Sequence, residues 1–310
     1  MTEYPLKPAD RVEITVLVDN TSDLLATPAS PVDRRLPYDS SRKLLAEHGL
    51  SCFIRVFSGK KEHTVLLDTG LSDICLPWNA RQLGIPLRGI EAVVLSHGHY
   101  DHTGGLGCVL GSAGHQIPLI AHPDAFLPRR LHVPSQGTFD LPLTEAVALK
   151  KAGADIRHHS GPSTLAAGHL LVTGEIERKT PFEHGMPGGE IEKDGTWDAD
   201  PILDDQALVF HLQDKGLVVL SGCAHAGIIN TIEYAKKLTG VDHVLGVLGG
   251  FHLSGEAFRK VVPPTIKAMK KIDPDYLVPM HCTGWSAING FMEAFPGRCL
   301  LNTVGTTYVF

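Results

Sequence analysis

The chain has 310 residues, a length that fits one large domain, and 43% of them are hydrophobic. That share is enough to bury a full core and excludes a globally disordered protein. Acidic residues outnumber basic ones by 34 to 28, giving a net charge of −6. Nucleic-acid binding requires a basic face, so nucleic acid is excluded as the main partner.

The sequence also argues against a membrane partner. No stretch approaches the roughly 20 apolar residues that a membrane-spanning helix needs. Pro5, Lys7 and Asp10 stand where a signal peptide would be apolar. The six cysteines are scattered and form no Cys-x-x-Cys pair. We therefore expect one reduced, cytoplasmic domain spanning residues 1–310, and the sequence carries no signal for its oligomeric state.

The first half of the chain alternates apolar runs with turn signals. A β-branched run predicts a strand over 12–18, and the Pro-, Ser- and Asp-rich residues 21–39 predict a loop. The runs 52–57 and 64–67 flank a Ser-Gly-Lys-Lys turn and predict a hairpin. The short apolar strand predicted at 92–95 leads into a histidine-rich segment.

The second half repeats this order of a hairpin, a strand and a loop containing glycine and histidine. Its predicted elements are a hairpin over 207–212 and 217–220, a helix over 228–238, a strand over 244–248, a helix over 261–271 and a strand over 276–279. No sequence repeat accompanies this structural echo. The alternation favours an α/β or a layered α+β fold over an all-β one.

Residues 123–205, between the two halves, have little regular pattern. They contain many prolines and the pair Gly188-Gly189. Irregular segments of this length inside a compact domain usually act as lids or binding loops. We expect an insertion at about 123–205 that covers the site and is not a separate domain.

One motif carries the chemistry. Residues 97–102 read His-Gly-His-Tyr-Asp-His, which places four metal ligands, His97, His99, Asp101 and His102, within six positions. In a helix His97 and His99 would point to different faces, so the motif predicts a loop or tight turn after the strand. Imidazole and carboxylate together suit zinc, manganese or iron. A divalent metal site is therefore predicted, with zinc favoured.

The motif resembles the His-x-His-x-Asp-His signature of the metallo-β-lactamase superfamily. This resemblance implies an α+β, four-layer αββα sandwich. It also implies a role for Asp68, in Leu-Leu-Asp-Thr-Gly, as the strand-end residue that supports the metal loop without binding metal. His225, after a strand and before a helix, and His281, at the end of another strand, match the remaining superfamily ligands.

The resemblance implies one or two ions. His97, His99 and His225 would hold one, and Asp101, His102 and His281 a second. The superfamily usually carries a bridging aspartate on the strand between the last two histidines, but residues 247–253 contain no carboxylate. His252 lies there and would be a replacement ligand for the second metal, a substrate contact or a structural residue.

A closer resemblance is to the dihydropterin ribofuranosylaminobenzene-phosphate synthase-like branch of the superfamily. The matching segments are Leu17–Asn20, Glu47–Leu50, Asp204–Gln206, Gly222–Gly227, Gly249–Leu253 and His281–Gly284. This resemblance covers most of the chain from about residue 12. It implies a small-molecule substrate in pterin biosynthesis, such as a phosphorylated pterin precursor.

The predicted ligands favour a hydrolase. A bound cation lowers the pKa of water from 15.7 to about 7 and so makes a nucleophile available for an ester, lactone or phosphoester. Asp101 would be the catalytic residue that accepts its proton. Arg129-Arg130, Arg178-Lys179 and His184 in the insertion are either contacts for an anionic substrate or exposed surface charges.

Two alternatives stay open at this point. One is an oxidative enzyme of the same fold, with a single iron acting on a thiol or persulfide. The other is a non-enzymatic protein that keeps the metal loop for binding or sensing. Cys223 and Cys282, beside two of the implied ligands, are either thiolate ligands or nucleophiles, or ordinary buried cysteines.

Overall fold

The computed structural model describes residues 4, 6–134 and 136–310. Its strands are β1 (Arg11–Val18), β2 (Asp33–Arg34), β3 (Ser51–Ser58), β4 (Lys61–Leu67), β5 (Ala92–Val94), β6 (Ile117–Ala121), β7 (Arg129–Val133), β8 (Gly137–Asp140), β9 (Ala154–His158), β10 (Ser163–Leu165), β11 (Leu170–Val172), β12 (Gly189–Lys193), β13 (Thr196–Ala199), β14 (Ala207–Leu212), β15 (Gly216–Ser221), β16 (Val244–Gly250), β17 (Tyr276–Met280) and β18 (Thr307–Val309). Its α-helices are α1 (Cys75–Leu83), α2 (Tyr100–Thr103), α3 (Leu106–Ala113), α4 (Ala146–Lys151), α5 (Ile228–Thr239), α6 (Val262–Ile272) and α7 (Trp285–Ala294).

Two large sheets pack face to face around the main core. The first has the order β2-β18-β1-β3-β4-β5-β6-β9, and the second has the order β10-β11-β14-β15-β16-β17. Alternate residues of β1, such as Val12 and Ile14, share one apolar core with Phe210 of β14 and Leu220 of β15. This alternation buries one face of each strand between the sheets.

Helices cover the outer face of each large sheet. Apolar residues of α1, α3 and α4 form a core with the first sheet. Residues of α5, α6 and α7 form another core with β16 and β17 of the second sheet. The predicted four-layer αββα sandwich of the α+β class is thereby confirmed. Among the described residues, none of the helices is both long and apolar enough to span a bilayer.

The two large sheets share a local topology that brings the candidate ligands together. The antiparallel hairpin β3–β4 is followed by the parallel strands β5 and β6. In the same way, the antiparallel hairpin β14–β15 is followed by the parallel strands β16 and β17. The carboxyl ends of parallel strands meet at one edge of a sheet, where ligands commonly bind. Asp68, His97, His225, His252 and His281 all follow such ends.

The prediction of little regular structure for 123–205 was wrong. Strand β9 joins the first large sheet, while β10 and β11 join the second. A separate small sheet has the order β13-β12-β7-β8. Its strands are short and partly exposed, so they show little apolar alternation in the sequence. An insertion that covers the site stays a proposal, and the segment that would do so is this small sheet with the loop before β12.

Helix α5, which begins three residues after His225, is capped from a distant part of the chain. Its N-cap residue, Gly227, makes no side-chain capping hydrogen bond. The buried Glu183 carboxylate instead accepts hydrogen bonds from the backbone N–H groups of Ile229, at 2.9 Å, and Asn230, at 3.0 Å. A carboxylate there satisfies two unpaired donors and interacts favourably with the helix dipole.

We expect Glu183→Ala to lower the free energy of unfolding by about 1 to 2 kcal/mol, because both N–H groups lose their acceptor. Urea unfolding followed by circular dichroism measures the change. Glu233→Ala, which removes an exposed carboxylate from the same helix, is the control, with an expected loss below about 0.5 kcal/mol. Equal losses in the two variants would contradict the capping role.

Candidate metal centre

The histidine-rich motif lies where β5 meets α2, and its conformation is the predicted one. Residues 96–99 form the connection, and α2 begins at Tyr100. Hydrogen bonds between Ser96 and Asp68 hold this connection in place. The buried Asp68 carboxylate accepts the backbone N–H of Ser96 at 2.7 Å and its hydroxyl at 2.6 Å. The same carboxylate lies 2.7 Å from His102 Nδ1, so it orients that ring.

Three imidazoles form what we call the first cluster: His97, His99 and His225. His97 Nε2 lies 3.0 Å from His99 Nδ1. The His225 ring centroid lies 4.8 Å from that of His97 and 4.8 Å from that of His99. The three side chains are buried, and they come from two different sheets. The sandwich thus brings together residues that are more than 120 positions apart.

A second cluster, of Asp101, His102 and His281, lies beside the first. The Asp101 Oδ2 atom lies 3.3 Å from His281 Nε2 and 3.7 Å from His102 Nε2. His281 is held by Asn20, whose side-chain oxygen lies 3.2 Å from His281 Nδ1, and by Asp19, which accepts its backbone N–H at 2.9 Å. Asp19 and Asn20 lie in Leu17–Asn20, one of the segments that carry the family resemblance, but the sequence did not show that they hold His281.

His48 belongs to the same site, although the sequence suggested no such place for it. Its Nε2 atom lies 3.4 Å from Asp101 Oδ2, and its ring centroid lies 5.1 Å from that of His281. Its side chain is 59% exposed, so it lies at the boundary between the second cluster and solvent. His48 lies in Glu47–Leu50, a segment that carries the family resemblance. A single histidine in a loop has no ligand spacing, so the sequence did not predict its place in the site.

His252 lies against the first cluster. Its ring centroid is 4.1 Å from that of His225, and its Nδ1 atom is buried without a hydrogen-bond partner among the described residues. On its other side, the Phe258 ring packs edge-on at 4.9 Å. The position is compatible with a site role and does not assign one.

The donor set fits a divalent cation. Several buried imidazole nitrogens of the site lack hydrogen-bond partners in the part of the chain that the structure describes. They are His99 Nε2, both nitrogens of His225, His252 Nδ1 and His281 Nε2. Buried polar atoms are almost always satisfied, and a cation would satisfy these at once.

Burial and neighbouring groups keep the imidazoles of the first cluster neutral, so each ring has a lone pair available for a metal ion. Burial, together with the neighbouring His102, lowers the pKa of His97 well below its usual range. Burial, together with the Arg129 guanidinium, lowers the pKa of His99 to about 3. Burial and then His252 likewise lower the pKa of His225 well below its usual range. These rings are therefore neutral at physiological pH, the state in which imidazole binds metal.

The second cluster attracts positive charge. Burial alone would lower the pKa of His102, but the carboxylates of Asp101 and Asp68 outweigh it and raise the pKa to about 9. Burial alone would raise the pKa of Asp101, but His102 and His281 outweigh it and hold the pKa below the usual range. Asp101 is therefore a carboxylate, and the cluster favours a proton or a cation beside it.

The segment Asp204–Gln206 supports both ligand loops. Asp204 Oδ2 accepts the backbone N–H of Gly98 at 2.7 Å, and Gln206 donates its side-chain N–H to the carbonyl of Leu95 at 2.7 Å. Asp205 accepts the N–H of Ala226 at 2.8 Å, directly after His225. Burial raises the pKa of Asp205 to about 7. The support from Asp204 and Gln206 was not predicted from the sequence, because it depends on the approach of the two sheets.

The arginines and the lysine that were candidate anion contacts have protein partners. The buried Arg129 donates to Asp200 at 2.7 Å and to Asp204 at 2.5 Å. Arg130 pairs with Glu190 and stacks on Trp197. The remaining pairings are of Arg178 with the carbonyls of Pro201 and Ile202, and of Lys179 with Glu177. His184 is exposed. Arg129 acts as a structural residue, joining the small sheet to the metal loop through Asp204.

A cavity of about 860 Å³ opens from the two clusters. Its inner wall includes His99, Asp101, Cys223, His252 and His281. Its outer walls are largely apolar, with Leu131, Leu141 and Met186 from the segment 123–205 and Trp285, Ile288, Met292 and Leu301 from the C-terminal region. A volume of this size is typical of sites for small organic molecules.

The backbone around the site is strained. Non-glycine residues with φ in the left-handed region occur next to it, at Asp68 (φ 55°), Ala224 (φ 54°), His252 (φ 44°) and His281 (φ 51°). Such conformations cost roughly 1 to 3 kcal/mol each and concentrate at functional sites. The rest of the sandwich must hold these residues in place.

Several known proteins are similar to this chain. Residues 48–234 match the metallo-beta-lactamase superfamily. The 7,8-dihydropterin-6-methyl-4-(beta-D-ribofuranosyl)-aminobenzene-5'-phosphate synthase of Methanocaldococcus jannaschii is 34% identical over 256 residues, which cover 81% of this chain and 85% of that protein. An uncharacterized protein of the same organism is 34% identical over 296 residues, or 93% of this chain and 99% of that protein.

Among solved structures, the crystal structure of Tm1679, described as a metal-dependent hydrolase of the beta-lactamase superfamily, has a TM-score of 0.74. It is 25% identical and covers 96% of this chain and 98% of its own. This chain belongs to the metallo-beta-lactamase superfamily.

Proposed function

We propose that the chain is a metal-dependent hydrolase that attacks an ester, lactone or phosphoester with activated water. The observation that carries this proposal is a set of adjacent buried imidazole nitrogens without hydrogen-bond partners among the described residues. Those of His99, His252 and His281 line the cavity, and His225 packs against His99 and His252. The superfamily acts through divalent metal, and the donor set has the composition that zinc prefers. Manganese and iron are alternatives, since the same donors bind them.

Each cluster would hold one ion in this proposal. His97, His99 and His225 hold the first, and Asp101, His102 and His281 hold the second. A divalent ion supplies Lewis-acid polarisation of a substrate oxygen and lowers the pKa of water to about 7. Ser96 and Asp68 orient the imidazoles of His97 and His102, so the ligand geometry is set before a cation binds.

Asp101 and His48 are the groups placed to move protons. Asp101 is a carboxylate at the boundary between the cluster and the cavity, so it accepts a hydrogen bond or a proton from attacking water. His48, half in solvent and 3.4 Å from Asp101, passes a proton between that carboxylate and solvent or the leaving group. Its exposure permits this exchange, which the buried imidazoles cannot make.

The cavity favours a substrate with a flat apolar portion. Trp285 is 67% exposed at its outer wall, and leucine and methionine side chains line the surfaces around it. An aromatic ring stacks readily on such a wall. The name of the Methanocaldococcus relative describes a product that joins a dihydropterin to a phosphorylated ribosyl-aminobenzene. We therefore propose a phosphorylated pterin precursor or a similar ring-bearing phosphoester as the substrate class.

We expect His99→Ala to lower kcat/KM by about 10³-fold or more, because loss of a ligand removes several kcal/mol of transition-state stabilisation. The assay is the hydrolysis of a panel of chromogenic phosphodiesters, esters and lactones by protein loaded with zinc or manganese. The most active substrate is then used for the variants.

The matched control for that assay is His159→Ala, which removes an exposed imidazole that belongs to neither cluster. Its activity should equal that of the wild type. Chelation should abolish wild-type activity and re-addition of metal should restore it. Full activity in His99→Ala would contradict the site.

We expect Asp68→Asn to weaken metal binding by about 10- to 100-fold while the fold is kept. The Asp68 Oδ2 atom accepts from Ser96 and from His102 Nδ1. An amide nitrogen at that place would donate, so His102 would carry its proton on Nε2, the atom that faces the cluster. Titration against a fluorescent zinc chelator gives the affinity, and circular dichroism checks the fold. An unchanged affinity would refute the orienting role.

We expect Trp285→Ala to raise KM about tenfold for an aromatic substrate and to leave kcat nearly unchanged, because the wall binds substrate and transition state equally. Steady-state kinetics with one aromatic and one small aliphatic ester separates ring stacking from general damage. Trp197→Ala, which removes the ring beneath Arg130, is the control. If both variants change KM alike, the cavity wall does not bind the ring.

A further inference from the structure

A second cavity, of about 120 Å³, borders the first cluster. We call it the small cavity, and the cavity of about 860 Å³ the main cavity. His225 lines the small cavity, whereas His99 lines the main one. Because the ring centroids of His225 and His99 lie 4.8 Å apart, the first cluster borders both cavities. The function proposed above uses only the main cavity.

The wall between the two cavities is thin. Among the described residues, His252 alone lines both cavities. Next to it in the chain, Leu253 lines the small cavity and Ser254 lines the main one. In the loop after β15, Ala224 lines the small cavity and Cys223 lines the main one. Neighbouring residues of one loop thus face different cavities, so ligands in the two cavities would contact the same wall.

Met186 completes this wall from the segment before β12. It lines the main cavity, while its neighbours Gly185 and Pro187 line the small one. A methionine side chain is unbranched and flexible, so it rearranges at little cost. His252 has a buried Nδ1 atom without a hydrogen-bond partner among the described residues. Rotation of the Met186 and His252 side chains would therefore open the wall while the strands stay in place.

Apolar side chains form most of the small cavity. Phe251 and Phe258 line it from the segment after β16, and Phe182 lines it from the segment before β12. The carboxylate of Glu183 already accepts hydrogen bonds from Thr180 and from two N–H groups of α5. An apolar cavity of about 150 Å³ is known to bind benzene, and aromatic rings pack well edge to face. The size and lining of the small cavity therefore suit one six-membered aromatic ring.

The small cavity reaches the protein surface. Its lining includes His184 and Ala257, which are both exposed. A ligand therefore has a route into this cavity from solvent, and a large side chain at position 257 would obstruct it.

We propose that the small cavity is a second ligand pocket, which takes a single aromatic ring. In the proposed hydrolysis, a substrate that fills both cavities lies across the first cluster, with the bond to be broken next to the candidate ligands. The part of the substrate in the small cavity is then selected for a ring of this size. This role in substrate selection rests on the proposed metal-dependent function, whereas the binding of a ring does not.

The first experiment asks whether the small cavity takes a ring. Crystals of the full-length wild-type protein are soaked in phenol, and the structure is determined. We expect density for the phenol ring between Phe182, Phe251 and Phe258. A small cavity that holds no phenol in these crystals would overturn the proposal.

The second experiment asks whether substrates use this pocket. It compares two pairs of substrates that differ only in a phenyl or a methyl group, placed on one side of the hydrolysed bond in the first pair and on the other side in the second. In one pair, Ala257→Trp should reduce the preference in kcat/KM for phenyl over methyl by about tenfold, because a hydrophobic pocket loses the space for that group. Ala152→Trp is the control and should keep the wild-type preference, since it makes the same change at an exposed alanine that lines neither cavity.

The two experiments separate the pocket from the reaction. Preferences that are unchanged in both pairs, or changed equally in the two variants, would overturn the role in substrate selection. A wild-type protein that binds phenol in the small cavity but hydrolyses no member of either pair would contradict the proposed function and leave the aromatic pocket in place. If Ala257→Trp does not fold, Val261→Phe replaces it in the kinetics, because residue 261 lines the same cavity just before α6.

Discussion

Imidazoles that are packed against one another without water can carry only few protons between them. The centroids of neighbouring imidazole rings in the two clusters and at the adjacent His252 lie between 4.1 and 5.1 Å apart. Two protonated rings at such distances would repel each other by about 3 to 4 kcal/mol at an effective dielectric constant near 20. Burial forces the first cluster to stay neutral, which leaves lone pairs directed at a common space. A divalent cation in that space would satisfy the nitrogens that have no hydrogen-bond partner among the described residues.

The sandwich is what imposes the arrangement. Each large sheet contributes a hairpin followed by parallel strands, so the carboxyl ends of strands from both sheets meet in one place. The strained residues Asp68, Ala224, His252 and His281 all follow strand ends at this meeting point. Two aspartate-containing segments, Asp19-Asn20 and Asp204–Gln206, secure the loops from opposite sides. The strained residues lower the stability of the fold at the site, and the hydrophobic cores between and outside the sheets compensate for this loss.

Much of the candidate site could be predicted from the sequence, because several of its candidate ligands lie close together along the chain. Four of them fall between His97 and His102, and Asp68, His225 and His281 each end a recognisable strand. His48 could not be read in this way, since a single loop histidine acquires meaning only from its 3.4 Å approach to Asp101. The structural role of Arg129 could not be predicted for the same reason. The sequence shows its charge, but its two buried carboxylate partners lie 71 and 75 positions away along the chain.

The fold was predictable to a similar degree. Strands with apolar alternation, such as β1, were predicted at nearly the observed bounds. The small sheet was missed because its strands are short and half-exposed. A usable signal existed at Asp194-Gly195, a hairpin turn whose two residues both have positive φ and which joins β12 to β13.

Metal binding in the two clusters is tested most directly by a crystal structure of the zinc-loaded protein, with anomalous difference maps from data collected on both sides of the zinc absorption edge. We expect an anomalous peak among His97, His99 and His225, and a second among Asp101, His102 and His281. Zinc-saturated crystals whose maps show no peak within either cluster would contradict a metal centre at this place.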